Sequence, residues 1–217
     1  MLKLWQYFRK IPFGNVLGLF IFIYNPLIFR QLPVKASIKE INGHSQSYQL
    51  SCESRSAVDW AAYYGVKIKE KKFLNSLPHS DNPELGFVGN AHDAWGAIPP
   101  ASYGVHAAPV ADSLNHFGVK AQAKKGMTWQ EVRKEIAHGN PVIVWVIGQM
   151  QNGTPILYHS KGGKTVTVAR YEHTMILVGY DQNSVQAVDA FSGQRRIFPL
   201  KIFLASWKVL GNMAIVH

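Results

Sequence analysis

Apolar positions recur at helical spacing in the first half of the chain and in short runs of β character in the second half. From Ser51, the apolar set Ala57, Trp60, Ala61 and Tyr64 predicts an amphipathic helix that Gly65 stops. Phe73, Leu74 and Leu77 predict a second helix near Lys71–Leu77, and residues 30–45 read as a short linker to the first element. Helical patterns return at Ala108–Phe117 and at Trp129–Ala137, the latter with Thr128 as its N-cap. Between them, Pro78 to Ala107 is rich in Gly, Pro, Asn and Asp and is longer than ordinary connections, which suggests a binding or lid role.

After Gly139-Asn-Pro141 the texture changes. Val142–Ile147 is a β-branched run with the character of a buried strand, and Thr165–Arg170 alternates. His173–Val178 and Val185–Asp189 flank the turn signal Asp181-Gln-Asn-Ser184; Arg195–Pro199, a short helix around Leu200–Trp207 and Met213–Val216 complete the chain. Helices first and strands afterwards predict an α+β domain with an antiparallel sheet.

The N-terminus follows another rule. Ile11 to Phe29 is a run of 19 residues without a charge, preceded by Lys3, Arg9 and Lys10. That length is near the ~20 residues a membrane-spanning helix needs, and the flanking basic residues predict that this end stays in the cytoplasm. The expected organisation is a membrane anchor or signal segment with linker over 1–35 and one domain over 36–217. A cleaved signal peptide, with Val34-Lys-Ala36 as its processing site, and a buried helix of the domain are the competing readings. The first two place the domain outside the cytoplasm, single-pass at the cell membrane or secreted.

Composition adds little beyond this. The chain has 217 residues, 47% hydrophobic and 17% charged, which suits an ordinary globular domain. Its net charge of +10 falls to +5 for residues 36–217, and no nucleic-acid-binding motif accompanies the basic clusters. No cofactor or metal is implied: there is no His-Glu-x-x-His helix, no Cys-x-x-Cys pair, and Gly163-Lys-Thr165 lacks the first glycine of a phosphate loop. Oligomeric state is left open.

Cys52 is the single cysteine and begins the first predicted helix. A lone thiol taken without a partner is more often a small buried hydrophobe than a nucleophile. The helix start favours reactivity, because unpaired N–H groups and the helix dipole stabilise a thiolate. A nucleophilic cysteine needs a base and a group that orients the base. Of nine histidines most are placed by the pattern in loops or on polar helix faces, whereas His173 opens an otherwise apolar strand. A reversal about Asp181 sets Asp189 directly opposite His173, and one centred on Gln182 keeps both on one face. A two-residue turn centred between 181 and 182 would separate them. Gln46, six residues before Cys52, completes the constellation.

The motifs lie in a recognisable order: Gln46 to Cys52 leading into a helix; Gly86-Phe-Val-Gly89 through Tyr103-Gly-Val-His-Ala-Ala-Pro109; Gly139-Asn-Pro-Val-Ile-Val-Trp145; Glu172-His-Thr-Met-Ile-Leu-Val-Gly-Tyr-Asp181; and Val188-Asp-Ala-Phe-Ser-Gly193. Over roughly residues 45–216 the chain resembles the papain-like cysteine peptidase domains related to bacteriocin-leader (double-glycine) peptidases, and more narrowly their stand-alone, exported bacterial branch. The resemblance implies a papain-like fold, with the nucleophile on an N-terminal helical part and His and Asp on a C-terminal antiparallel sheet. Cys52 is then the nucleophile, His173 the general base and later acid, and Asp189 the orienting residue. Gln46 assists the Cys52 N–H as the oxyanion hole. The implied activity is thiol-dependent hydrolysis of a peptide or protein substrate. A Cys-dependent acyltransferase or a silent envelope-binding module would use the same scaffold. Ala190, where relatives often have proline, and Glu53, where the bacteriocin-processing relatives often have glycine, depart from the pattern. Double-glycine cleavage is therefore not assumed.

Overall fold

The computed structural model describes residues 31–217, so the apolar run Ile11–Phe29 and the anchor or signal expected there lie outside the described residues. Among the described residues no helix is long and apolar enough to cross a membrane. Leu32–His217 pack as one unit.

The chain order is β1 (Ala36–Ser37), α1 (Cys52–Tyr63), α2 (Glu70–Leu74), α3 (Ala107–His116), β2 (Gln122–Lys124), α4 (Trp129–Ala137) and β3 (Val142–Ile147). There follow β4 (Ile156–His159), β5 (Thr165–Val168), β6 (Glu172–Tyr180), β7 (Ser184–Asp189), β8 (Arg195–Pro199), α5 (Leu200–Lys208) and β9 (Ala214–Val216). α4 starts at the expected cap, where Thr128 and Glu131 form a reciprocal capping box. One seven-stranded antiparallel sheet runs β2-β9-β3-β6-β7-β8, with β1 also pairing to β6. β4 and β5 form a separate two-stranded sheet. This is the α+β arrangement that the order of patterns predicts.

The central strands β3 and β6 are buried at every position, since α1, α4 and α5 pack against them. That is why they read as continuous apolar runs. Trp60, Trp145 and Trp207 anchor the core, and each indole N–H finds a backbone carbonyl, on Pro141 (2.8 Å), Val105 (3.0 Å) and Met213 (2.8 Å) respectively.

Besides the short strands β2 and β4, which the pattern does not predict, the structure differs from the sequence reading in three places. Residues 30–45 are not a linker throughout: β1 pairs with Gly179 and Tyr180, Ile38 N–H donates to Val178 O at 2.7 Å, and Ile38 and Ile41 are buried. The Pro78–Ala107 segment folds on itself through bridges His79–Phe87 and Val88–Gly104, and Val88 and Tyr103 make a small second core with Val166 and Val168 of β5. Finally, the β6–β7 register is offset. Asp189 sits opposite Met175 instead of His173, and a bulge lies between Leu177 and Gly179. The cause is the turn together with the bulge: Asp181 carboxylate oxygens accept from Asn183 N–H (2.8 Å), Ser184 N–H (2.7 Å) and the Ser184 hydroxyl (2.8 Å), which moves the reversal beyond Asp181 and pairs Tyr180 with Val185, and the bulge then brings Asp189 opposite Met175. The offset is even, so His173 and Asp189 stay on one face and meet diagonally.

Candidate active site

Cys52 owes its position to a buried glutamate on the next helix. The bend Ser47–Ser51 is fastened by Glu70, which accepts from Ser47 N–H (2.9 Å), Ser47 Oγ (2.6 Å), Ser51 Oγ (2.7 Å) and Arg55 Nη1 (3.3 Å). With its hydroxyl so used, Ser51 makes no side-chain cap on α1. The first N–H groups of that helix, including that of Cys52, therefore remain without an intrahelical partner. Ser56 and the Thr174 hydroxyl, 3.0 Å apart and buried, tie α1 to β6 and so to His173.

His173 donates from Nε2–H to Asp189 Oδ1 at 2.8 Å, and both are buried. Asp189 also accepts from Phe191 N–H (3.0 Å) and the Ser192 hydroxyl (2.9 Å). Burial pushes the Asp189 carboxyl up, but these hydrogen bonds, the His173 one foremost, outweigh it and hold the group below the usual carboxylate range. An ionised Asp189 fixes the ring proton on Nε2 and leaves Nδ1 as the lone-pair nitrogen. Its turn is held against the chain before Cys52, since Gln46 N–H donates to Ala190 O at 2.8 Å. Gly193 in that turn has φ +70°, and a Cβ there would come within 2.7 Å of the His44 backbone, so only glycine fits.

Cys52, His173 and Gln46 line one pocket, together with Gln49, Trp95, Gln149 and Phe191. These last four escape the sequence reading, although Trp95 lies in the long loop singled out for binding. Trp95 is fixed by its indole N–H to Glu172 O (2.7 Å), with its ring 6.0 Å from that of His173. Gln46 reaches the pocket with its donors already engaged: Nε2 donates to Tyr48 O (2.7 Å) and Gln49 O (3.0 Å), while buried Oε1 has no partner. The bend that presents Cys52 supplies these nearer carbonyls. An oxyanion role for Gln46 would require one of those bonds to break.

The thiol also departs from expectation. The helix start predicts a lowered pKa, whereas burial, then the charges of Glu53 and Glu172, push the Cys52 thiol well up. Cys52 Sγ–H donates to Glu53 Oε2 at 3.2 Å, and Glu53 Oε1 accepts Val105 N–H at 2.6 Å. Burial raises Glu53 to about 7, while burial and Glu53 together raise Glu172 well above its normal range. Cys52, Glu53 and Glu172 each bring one ligating atom to within 4.8 Å of the others, close enough for the charge on one to oppose charge on the next. Glu53 appears in the sequence only as a departure from a pattern, and Glu172 as the residue before His173; nothing in their spacing announces that they meet.

Known proteins share the fold that holds this site. A family model described as the Peptidase_C39 like family matches residues 38–215. The uncharacterized protein YvpB of Bacillus subtilis (strain 168) is 28% identical over 179 residues, covering 76% of this chain and 68% of that protein. Among solved structures, a Bacillus anthracis protein described as a C39-like peptidase superposes with a TM-score of 0.74 at 24% identity, over 84% of this chain and 96% of that one. A double glycine motif protease from an AMS/PCAT transporter, solved with its leader peptide, aligns with a TM-score of 0.45 at 13% identity, over 83% of this chain and 96% of that one.

Proposed function

The chain belongs to the Peptidase_C39 like family and has the papain-like α+β fold, and from that membership and the Cys52–His173–Asp189 geometry we propose that it is a thiol-dependent peptidase. The observation that carries the reading is the 2.8 Å His173–Asp189 bond behind a ring that shares a pocket with Cys52. Asp189 keeps the proton on Nε2, so Nδ1 of His173 receives the thiol proton. The thiolate attacks the carbonyl carbon of the scissile bond, and the oxyanion forms against the uncapped N-terminus of α1, where the Cys52 N–H is the nearest donor. His173 returns its proton to the leaving amine, and the resulting thioester at Cys52 is hydrolysed by water that His173 activates in turn.

Incubation with a peptide library between pH 5 and 9, with products read by mass spectrometry, tests this. Cleavage that disappears in Cys52→Ala and His173→Ala supports the reading. Absence of cleavage, with Cys52 labelling no faster than a free thiol and unaffected by His173→Ala, overturns it. An added amine nucleophile distinguishes hydrolysis from acyl transfer by the product formed.

The proposed site of action is outside the cytoplasm, on the basis of the uncharged run Ile11–Phe29 and the basic residues before it. Fusing residues 1–35 to a reporter active only after export checks this, and a fusion retained inside the cell rejects it.

A further inference from the structure

Each candidate reacting residue has a buried acid as its chain neighbour: Glu53 follows Cys52 on α1, and Glu172 precedes His173 on β6. Neither takes part in the chemistry above. Their carboxyl groups nevertheless converge on the Cys52 sulfur, one oxygen of each and Sγ lying within 4.8 Å of one another. The convergence depends on Gly104, with φ +122°: a Cβ there would come within 2.2 Å of Glu53 Oε1 and 3.2 Å of Glu172 Oε2.

The two acids are unequally served. Glu53 accepts hydrogen bonds on both oxygens, from Val105 N–H and from the Cys52 thiol, whereas buried Glu172 Oε1 has no partner. Facing the pair are Cys52 from α1, Thr174 from β6 and Tyr103 from the loop before α3, and His173, with Asp189 behind it, is the chain neighbour of Glu172. Of these only His173 can carry positive charge. Among the described residues no Lys or Arg forms an ion pair with either glutamate. Two buried carboxyls so close, without a cation, do not both ionise. One proton on the pair removes one of the two charges without a metal ion, and it rests on Glu172, because both Glu53 oxygens already accept from N–H and S–H groups.

We propose that Glu53 and Glu172 are positioning residues that gate the nucleophile: while the pair holds one proton and carries a negative charge, it holds Cys52 as a neutral thiol through the S–H bond to Glu53, and full protonation of the pair releases that thiol to His173. The gate rests on the reading of Cys52 as nucleophile. In the opening step one proton enters the pair from solvent, and the thiol proton passes from sulfur to His173 Nδ1. The protonated Glu53 then donates to the new thiolate where its anion had opposed it. The hydrogen bonds support the order of events, since Val105 N–H and the Cys52 thiol stabilise the Glu53 anion whereas Glu172 Oε1 has no donor.

The sign is opposite to that of a free thiol, whose alkylation quickens as pH rises. The experiment is the rate of Cys52 alkylation by iodoacetamide, followed by intact mass in EDTA-containing buffer from pH 5 to 9. In the wild type the rate at pH 6 is expected to exceed that at pH 8 by about tenfold, the factor one pKa unit of interaction supplies. Glu53→Gln keeps an acceptor for Val105 N–H and offers an amide donor to the thiolate. It should raise the pH 8 rate about tenfold, to the wild-type pH 6 level, and abolish the dependence between those values. Glu172→Gln leaves Glu53 without its acidic neighbour and should shift the dependence to lower pH.

A wild-type rate that climbs steadily with pH, or a Glu53→Gln profile that matches the wild type, overturns the gate while leaving the peptidase reading intact. Cys52 unreactive at every pH, in wild type and Glu53→Gln alike, removes the nucleophile and the gate with it. Should Glu53→Gln fail to fold, infrared spectra of wild-type protein carrying carbon-13 glutamate decide the question. A protonated-carboxyl band present at pH 6 and weakened at pH 8 supports the gate; no such band at pH 6 overturns it.

Discussion

Among the described residues two buried histidines each hold a carboxylate, His173 with Asp189 and His106 with Glu84. They differ in what is left over. His173 spends Nε2 on Asp189 and has Nδ1 to spare beside a pocket that Cys52 also lines. His106 spends both nitrogens: Nδ1–H on Glu84, and Nε2 as acceptor of the Tyr103 hydroxyl at 3.2 Å. Burial lowers the His106 pKa and keeps it neutral, while the His106 and Lys125 hydrogen bonds override burial and pull Glu84 down to about 2. His106 thus braces the loop that carries Trp95, its N–H also closing on Pro83 O at 2.9 Å. Unspent hydrogen-bonding capacity facing a pocket marks the reactive couple; burial beside an acid does not.

The largest expected effect tests this division directly. Cys52→Ala removes the covalent step and should leave no turnover. His173→Ala should cost about 10²–10⁴-fold in kcat, the range of a lost general base, with Tm within a few degrees of the wild type. His106→Ala should do the reverse, losing about 2 kcal/mol of stability because Tyr103 is left unpaired, while the folded fraction turns over within about threefold of wild type. If His106→Ala, assayed below its unfolding midpoint, falls as far as His173→Ala, the comparison breaks.

Asp189 sharpens it next. Asp189→Ala strips the acceptor from His173 Nε2–H, Phe191 N–H and the Ser192 hydroxyl together. It should cost about 3 kcal/mol and at least tenfold in kcat, since three donors lose their partner and the ring its orientation. Asp189→Asn can keep a carbonyl oxygen at the Oδ1 position for His173 and Phe191 and donate its amide to Ser192. It should stay within about tenfold of wild-type kcat, its loss reflecting the missing charge. A fall to the alanine level would show that the charge matters more than the tautomer.

Much of this arrangement was legible beforehand, and the reasons are local. α4 announces itself by Thr128 and Glu131, β3 by its unbroken apolar run, and α1 by the spacing of Ala57, Trp60 and Ala61. β1 has two residues, β2 three, and β4 alternates half-buried and exposed positions, so none has a hydrophobic signal to read. His173 and Asp189 could be placed on one face by parity, but the offset comes from a turn closed by side-chain hydrogen bonds at Asp181 and from the bulge between Leu177 and Gly179. His106 reads in the sequence as one of the loop histidines, because its burial arises only when residues 83–106 fold back on themselves. The raised thiol pKa was out of reach for the same reason: the helix start is local to Cys52, whereas Glu172 arrives from β6.

The acids of the two regions do not all give stability the same slope with pH. Glu84 is lowered from 4.5 to about 2, so the folded state binds its proton less tightly than the unfolded one. Its contribution is complete above about pH 4.5 and fades as pH falls toward 2, and Asp189 acts in the same sense. Glu53, raised from 4.5 to about 7, works the other way, and stability declines as pH rises through that interval. Glu84→Gln should therefore lower the urea midpoint at pH 7 by the equivalent of about 2 kcal/mol, discounted for partial exposure, and by much less at pH 3. An equal deficit at both pH values would mean that Glu84 braces by shape and not by charge.

The smallest effect concerns Gln46, where the lesson of unspent capacity runs against the family resemblance. As an oxyanion donor its loss should cost about 10²–10³-fold in kcat. Both amide protons, however, are committed to the carbonyls of Tyr48 and Gln49. Gln46→Ala should then reduce kcat by less than about tenfold, with the drop accompanied by a lower Tm as the bend before Cys52 loses two hydrogen bonds. Measuring kcat and Tm together separates the two roles, because an oxyanion donor alters kcat without touching Tm. A fall of 10²-fold or more at unchanged Tm would mean that substrate draws the Gln46 amide away from its carbonyls during the reaction, and that a committed donor in the resting site is not thereby excluded from chemistry.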